Sequence, residues 1–495
     1  MENLVLALGM VFQLKVLLLL LLGSFIGLIM GALPGITVNL AVALALPVSF
    51  FLSPLEALAL LMGIYQTGTF GGCISGILLN MPGTPSAAAT TIAGYPLTKK
   101  GQGGLALQTA LLSSVFGGLV GFVVLIFFSP WVARFALKFG APEFATLITF
   151  ALVTIALIGG DSIFRGLLAS FIGLALATIG IDPASGTSRL TFGSYHLLAG
   201  IEFIPLLIGL FGISEIFVQA GSKIENLIER TVVFPKLIST IKSLCQYYKT
   251  LITSSLIGVI IGALPGAGSS TASFISLNEA KRTSKHPDEF NKGVIEGVVA
   301  TETSNNAVCG SALVPLLTLG IPGDTITAII LGALMVHGLR PGPRLFVEQA
   351  EYAYGLFILV AVSTIAMFII AYPTLRYMAK AITVPSEYLY PILIVLCVVG
   401  TFSINMRFFD LWVMLGAGLL GLFFRTQKFP LPPFLIAFIL GPELELSLKQ
   451  SLKLSTNGLG IFLQRPIALF FLVFTFVILL VVFRRKNLEA GKPKE

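Results

Sequence analysis

Hydrophobic residues fall along this chain in blocks of about 20, the length of helix that crosses the hydrocarbon core of a bilayer. Short polar joints separate the blocks. A short segment at 1–13, expected to be interfacial, precedes the first block at 14–30, which stops at Gly31-Ala32-Leu33-Pro34-Gly35. Apolar character resumes over 37–52 and is closed by Ser53-Pro54. The next block, 55–79, begins wholly apolar and turns into Tyr65-Gln66-Thr67-Gly68-Thr69, which would put polar atoms at membrane depth. Asn80-Met81-Pro82-Gly83-Thr84 follows, and then a helix start rich in small residues. Further apolar segments lie near 105–128, 141–159, 163–181 and 197–219.

The same succession restarts after the charged stretch 220–250. A short apolar helix runs into Gly262-Ala263-Leu264-Pro265-Gly266, a polar segment carries Thr301-Glu302-Thr303-Ser304-Asn305-Asn306, and a second Pro-Gly pair comes at Pro322-Gly323. Cys73 and Cys309, and Pro82 and Pro322, keep nearly the separation of the two Gly-Ala-Leu-Pro-Gly copies, so duplication with small insertions is the economical account. Runs between 355 and 483 are simpler and are expected to be scaffold. The organisation expected is a first transmembrane repeat (1–219), a basic cytoplasmic linker (220–250), a second repeat with C-terminal scaffold spans (251–483) and a basic cytoplasmic tail (484–495). The fold class is all-α and polytopic, with paired broken or re-entrant helices and a two-fold internal repeat, inverted rather than parallel.

Proline has no amide proton and clashes with the carbonyl four residues earlier, while glycine supplies the freedom to turn, so each Pro-Gly pair ends its helix. Inside a bilayer such a break survives only where protein or a water-filled cavity satisfies the freed backbone groups. Paired breaks at corresponding places in two halves point to a transporter's binding site. A helix that restarts there presents free N–H groups and the positive end of its dipole. Thr37, Thr84, Ser269 and Thr325 add hydroxyls just after the four breaks. Such a cradle suits carboxylates without a buried lysine or arginine. A coupling cation would need oxygen ligands or a protonatable group. Asn80, Asn305 and Asn306 are candidates for Na⁺, and Glu302 or Asp324 for a proton. Gly68, Gly71 and Gly72 serve either close helix packing or the opening of a cavity.

Composition narrows the class. Apolar residues make up 56%, charged residues 11%, and mean hydropathy is +0.96, against roughly 25% charged residues in soluble domains. The net charge of +8 sits in joints and tail, where it sets topology and meets anionic headgroups rather than nucleic acid. The linker and the Arg484-Arg485-Lys486 tail are expected on the cytoplasmic side. Cys73, Cys245, Cys309 and Cys397 show no ligand spacing. No His-Glu-x-x-His motif, nucleophile with a base, or aspartate-rich span is present, so no enzymatic role, cofactor or tightly bound metal is expected. No cleavage site follows the first block, which is read as a retained helix.

The twin Gly-Ala-Leu-Pro-Gly elements, Asn80-Met81-Pro82-Gly83-Thr84-Pro85, Asn305-Asn306-Ala307 and Leu319-Gly320-Ile321-Pro322-Gly323 together resemble the large membrane subunit of tripartite tricarboxylate transporters, the TctA type, over residues 15–440. The resemblance implies an inner-membrane permease of about 12 spans, each of roughly 20 apolar residues. It also implies a small four-span membrane partner and an extracytoplasmic solute-binding protein. Import of organic di- or tricarboxylates would be driven by a Na⁺ or H⁺ gradient, and no phosphate-binding Gly-x-x-x-x-Gly-Lys-Ser/Thr pattern is present. Carried onto this chain, the substrate region is Pro34, Gly35, Asn80 to Thr84, Pro265, Gly266, Asn305, Asn306, Pro322 and Gly323. The first repeat reads Gly35-Ile36-Thr37 where the second reads Gly266-Ala267-Gly268, so the two breaks need not do equal jobs. An anion channel and a stand-alone carboxylate carrier are the competing readings.

Overall fold

The computed structural model describes residues 2–158, 162–182, 185–220, 232–381 and 386–490. Part of the expected linker (221–231) and the end of the expected tail (491–495) lie outside the described residues. Helices dominate, and the strand pair Gly180–Ile181 with Ser188–Arg189 is only two residues long on each side.

In chain order the helices begin with α1 (Glu2–Val11), α2 (Leu14–Ala32), α3 (Val38–Ser49), α4 (Pro54–Leu79), α5 (Ala87–Lys99) and α6 (Gly103–Ala136). Next come α7 (Ala141–Ile158), α8 (Ile163–Ala177), α9 (Phe203–Leu207) and α10 (Ser214–Ala220), the last two joined by a π-helical stretch, Ile208–Ile213. After residue 231 come α11 (Leu237–Gln246), α12 (Tyr248–Gly262), α13 (Gly268–Thr283), α14 (Ile295–Ser311), α15 (Leu313–Leu319) and α16 (Thr325–Val336). The chain continues with α17 (Leu345–Glu348), α18 (Ala350–Ala381), α19 (Ser386–Asn405), α20 (Phe408–Thr426), α21 (Leu431–Leu454), α22 (Ile461–Gln464) and α23 (Pro466–Ala490).

Among the described residues, 7 helices (α2, α4, α6, α7, α18, α20 and α21) are long and apolar enough to cross a membrane. The number rises to 9 if the bent pairs α11–α12 (77°) and Gly458–Gln464 with Pro466–Val482 (92°) each count as one span. Shorter apolar helices, α3, α8 and α16 among them, add to these without reaching spanning length. The helix ends agree with the sequence punctuation. Ser53 opens α4 beside Pro54, with its N–H donating to Glu56 Oε2 at 3.1 Å. Asn80 closes α4 in the left-handed region (φ 61°), and Gly320 closes α15 likewise (φ 72°).

Two compact units divide the chain. The first is Met1–Ala133 with Ile204–Leu422. Its centre is α4, every residue of whose most apolar window is buried, and α14, buried from Gly297 to Ser311. Glycines bring backbones together here. On α2, Gly23, Gly27 and Gly31 face the carbonyls of Leu60, Ile64 and Gly68 on α4, so closely that a β-carbon at any of the three would collide. Gly63 and Gly71 return the contact toward Leu20 and Leu28. Gly258 of α12 packs on Ser304, and Gly117 and Gly121 of α6 pack on Thr303 and Ala307 of α14. For Gly68 and Gly71 close packing is therefore the observed role, while Gly72 lies under the Thr84 side chain. Around the α4 core, Leu28, Phe70, Ile74 and Ile77 cluster with Leu107 and Met367.

The second unit is Arg134–Phe203 with Phe423–Glu495, built from α7, α8, α21, α22 and α23. Phe139, Phe150, Phe471 and Phe474 pack edge-on or tilted against one another. Glu143 is buried and meets Arg465 at 3.5 Å. The short strands are pinned to α21 by ion pairs of Arg189 with Glu445 and of Asp182 with Lys449.

Candidate functional site

In each half of the first unit the two breaks lie side by side. The Gly83 N–H donates to Gly72 O at 3.0 Å, and the Gly83 α-carbon abuts the Gly31 carbonyl, so the Pro82-Gly83 break rests on the Pro34-Gly35 break. In the second half the Gly266 N–H donates to Gly323 O at 2.8 Å, and Gly323 abuts the Gly262 carbonyl. Gly35 (φ 81°) and Gly266 (φ 76°) both adopt a conformation in which a side chain would be strained. The Tyr65 hydroxyl of α4 donates to Asp324 Oδ2 at 2.8 Å, and Asp324 in turn lies beside Gly268 at the start of α13.

The helix restarts differ in what remains for a ligand. Thr37 caps α3, accepting from the Leu40 N–H at 3.3 Å. Asp324 caps α16, with Oδ1 accepting from both the N–H and the hydroxyl of Thr327 at 2.8 Å. An acidic residue already occupies that positive helix end, so an anion would meet a like charge there. By contrast Ser86 at α5 and Ala267 at α13 make no side-chain cap bond. Thr84 is buried and bonded to the Ala87 N–H and to Ser86 Oγ, whereas Ser269, Thr325 and Pro265 are partly exposed. Asn80 and Pro82 are exposed and Pro322 is buried. Asn80 serves the fold through its left-handed backbone.

A second cluster of polar groups lies between α4 and α14. Asn305 Nδ2 donates to Thr69 O (3.3 Å) and Asn306 Nδ2 to Glu302 O (3.5 Å). Asn305 Oδ1, Asn306 Oδ1, Gln66 Oε1, Thr67 Oγ1 and Thr303 Oγ1 are buried and take no hydrogen bond from any described residue. Buried oxygens need a partner, so their concentration on these two helices marks a place suited to a donor or cation from outside the chain. Glu302 is fully buried, accepting from the Thr90 hydroxyl of α5 at 2.6 Å and the Ser114 hydroxyl of α6 at 3.1 Å. Gln66 Nε2 donates to Thr364 Oγ1 of α18 at 2.9 Å. Sequence reasoning passes over Tyr65 as the partner of Asp324, and over Ser114 and Thr364. The last two each end a hydroxyl pair, Ser113-Ser114 and Ser363-Thr364, inside a long apolar helix, and that interruption is the signal that could have found them.

The Tripartite tricarboxylate transporter TctA family matches residues 17–436 of this chain, a span that contains all four breaks and the polar cluster. The chain belongs to that family. As a TctA-family protein it is a multi-pass membrane protein and a membrane component of a tricarboxylate transporter. It is 36% identical over 448 residues to an uncharacterized 52.8 kDa protein of the TAR-I ttuC' 3' region of Agrobacterium vitis, covering 90% of this chain and 89% of that protein. It is also 35% identical over 211 residues to an uncharacterized protein of the TAR-II ttuC' 3' region of the same organism, covering 43% of this chain and 87% of that protein. No solved structure matches.

Proposed function

We propose that this TctA-family chain is the permease of a tripartite, binding-protein-dependent secondary transporter that imports organic di- or tricarboxylates across the inner membrane by alternating access, driven by Na⁺ or H⁺. The observation that carries the reading is the Tyr65–Asp324 hydrogen bond. It ties the core helix of the first half to the second break of the other half. The shared order of elements supports an internal duplication: α2, α3, α4, α5 and α6 are followed in the second half by α12, α13, α14 with α15, α16 and α18. The repeat is read as inverted, with the linker and C-terminus cytoplasmic.

Substrate carboxylates would be held by backbone N–H groups and hydroxyls at the breaks, around Pro34, Gly35, Thr37, Pro82, Gly83, Thr84, Pro265, Gly266, Ser269, Pro322, Gly323 and Thr325. Of the helix starts, α13 suits an anion best, because Thr37, Thr84 and Asp324 already occupy donors of α3, α5 and α16. The coupling ion would draw on Asn80, Glu302, Asn305, Asn306 or Asp324. A small four-span membrane subunit and an extracytoplasmic binding protein would complete the system. The test is reconstitution in liposomes with those two partners and a panel of labelled mono-, di- and tricarboxylates. Accumulation of a carboxylate is expected only when an ion gradient is imposed, and uptake indifferent to every gradient would rule the mechanism out.

A further inference from the structure

Two buried carboxyls stand near the breaks, and they are held in opposite ways. Asp324 accepts from a backbone N–H, from the Thr327 hydroxyl and from the Tyr65 hydroxyl. A backbone N–H can only donate, so Oδ1 is committed as an acceptor and the residue works as a helix cap. Among the described residues no backbone N–H bonds to Glu302, whose partners are the hydroxyls of Thr90 and Ser114, the Asn305 side chain and the Cys73 thiol, and a hydroxyl donates to a carboxylate as readily as it accepts from a carboxylic acid. No ion pair reaches Glu302 among the described residues, although its side chain is 0% exposed. A carboxyl kept in a dry helix core without a counter-ion is a costly feature, of the kind that marks proton pathways in membrane proteins.

The other half shows what the same place looks like with a neutral group. Asn305 bonds to Thr69, 236 positions earlier, and Glu302 and Gln66 each stand three residues before those partners. Gln66 of α4 bonds to Thr364 of α18 as Glu302 of α14 bonds to Ser114 of α6. An amide has the shape of a protonated carboxyl, so this core accommodates a neutral group at that level. Other groups around Glu302 offer no competing charge. From α4 it meets the Cys73 thiol, and at its level α12 and α13 present Gly258 and Ser273. Lys249, Glu279, Lys281 and Arg282 on those two helices lie more than a turn further along, as do Tyr95 and Lys99 on α5. On α14 itself Glu296 is engaged by Thr250 and Ser284.

Resting on the reading of the chain as an ion-driven carrier, we infer that Glu302 is the group that takes up and releases the coupling proton, and that Asp324 is not. The proton enters from water on the extracytoplasmic side, neutralises one Oε, and leaves to cytoplasmic water, with the Thr90 and Ser114 hydroxyls reorienting between donor and acceptor. Thr90 lies on α5, directly after the Asn80-to-Ser86 break, so the protonation state of Glu302 bears on the helix that restarts at the proposed substrate site.

Two measurements test this. Infrared difference spectra of the purified full chain, titrated with pH, should show a carboxylic-acid C=O component that is missing from the Glu302→Gln spectra and present in those of Asp324→Asn. Wild-type and Glu302→Gln titrations that superimpose would overturn the inference whatever the protein transports. In liposomes carrying the complete system, with citrate as the probe, Glu302→Gln should lose accumulation driven by a proton gradient while keeping citrate exchange across the membrane. Accumulation by wild type under a Na⁺ gradient alone would refute the proton assignment and leave the permease reading standing. Absence of carboxylate uptake under any gradient would refute the permease reading, and the infrared result would still decide whether Glu302 titrates.

Discussion

Replacing Tyr65 by Phe isolates one of the hydrogen bonds that join the two halves. The substitution keeps the ring, which is fully buried, and removes only the hydroxyl that donates to Asp324 Oδ2 at 2.8 Å. Asp324 Oδ1 retains both bonds from Thr327, so the cap of α16 survives and the loss falls on one charged oxygen. A hydrogen bond to a charged group in a buried setting is worth about 1.5–3 kcal/mol. Inside a membrane the unfolded reference finds other partners, and the measured average falls to about 0.6 kcal/mol. Asp324 is 7% exposed and keeps its backbone donors, which places the expected cost of Tyr65→Phe near the lower edge of the first range, about 1.5 kcal/mol. Asp324→Asn should cost less, because an amide keeps the cap and can donate to the Tyr65 oxygen. The assay is a double-mutant cycle of Tyr65→Phe with Asp324→Ala, which leaves no group to bond Tyr65, read by thermal unfolding of the purified protein. The expected result is a coupling energy of at least about 0.5 kcal/mol, the usual floor for residues in contact. Additive single changes, or Tyr65→Phe unfolding at the wild-type temperature, would show that the two side chains do not meet and that the halves do not converge there.

The glycine seam gives a paired prediction. Gly27→Ala puts a β-carbon against the Ile64 backbone and should lower stability by about 1–3 kcal/mol. Gly9→Ala in α1, where nothing lies within 4 Å, should raise it by up to about 1 kcal/mol, both read from unfolding temperature. At the left-handed cap of α4, Asn80→Gly should be tolerated while Asn80→Val costs about 1–2 kcal/mol, and equal tolerance of both in the same assay would contradict the φ of 61°.

The chain's class and the location of its breaks could be read before any coordinates, because both are local. Block length measures a helix against a bilayer, and proline followed by glycine ends a helix wherever it stands. Hence α2 stops at Ala32 and α12 at Gly262, each at its Gly-Ala-Leu-Pro-Gly copy, and α4 ends where Asn80 precedes Met81-Pro82-Gly83. The division of labour between Glu302 and Asp324 was beyond the sequence, which offered both equally as proton carriers. Their partners lie far away along the chain: Thr90 is 212 and Ser114 188 positions from Glu302, and Tyr65 is 259 from Asp324. Which hydroxyl meets which carboxyl depends on how each helix is rotated and how deeply its glycines let it sink against a neighbour. Those quantities are set by packing among α4, α5, α6, α14 and α16 together, and no single segment carries them.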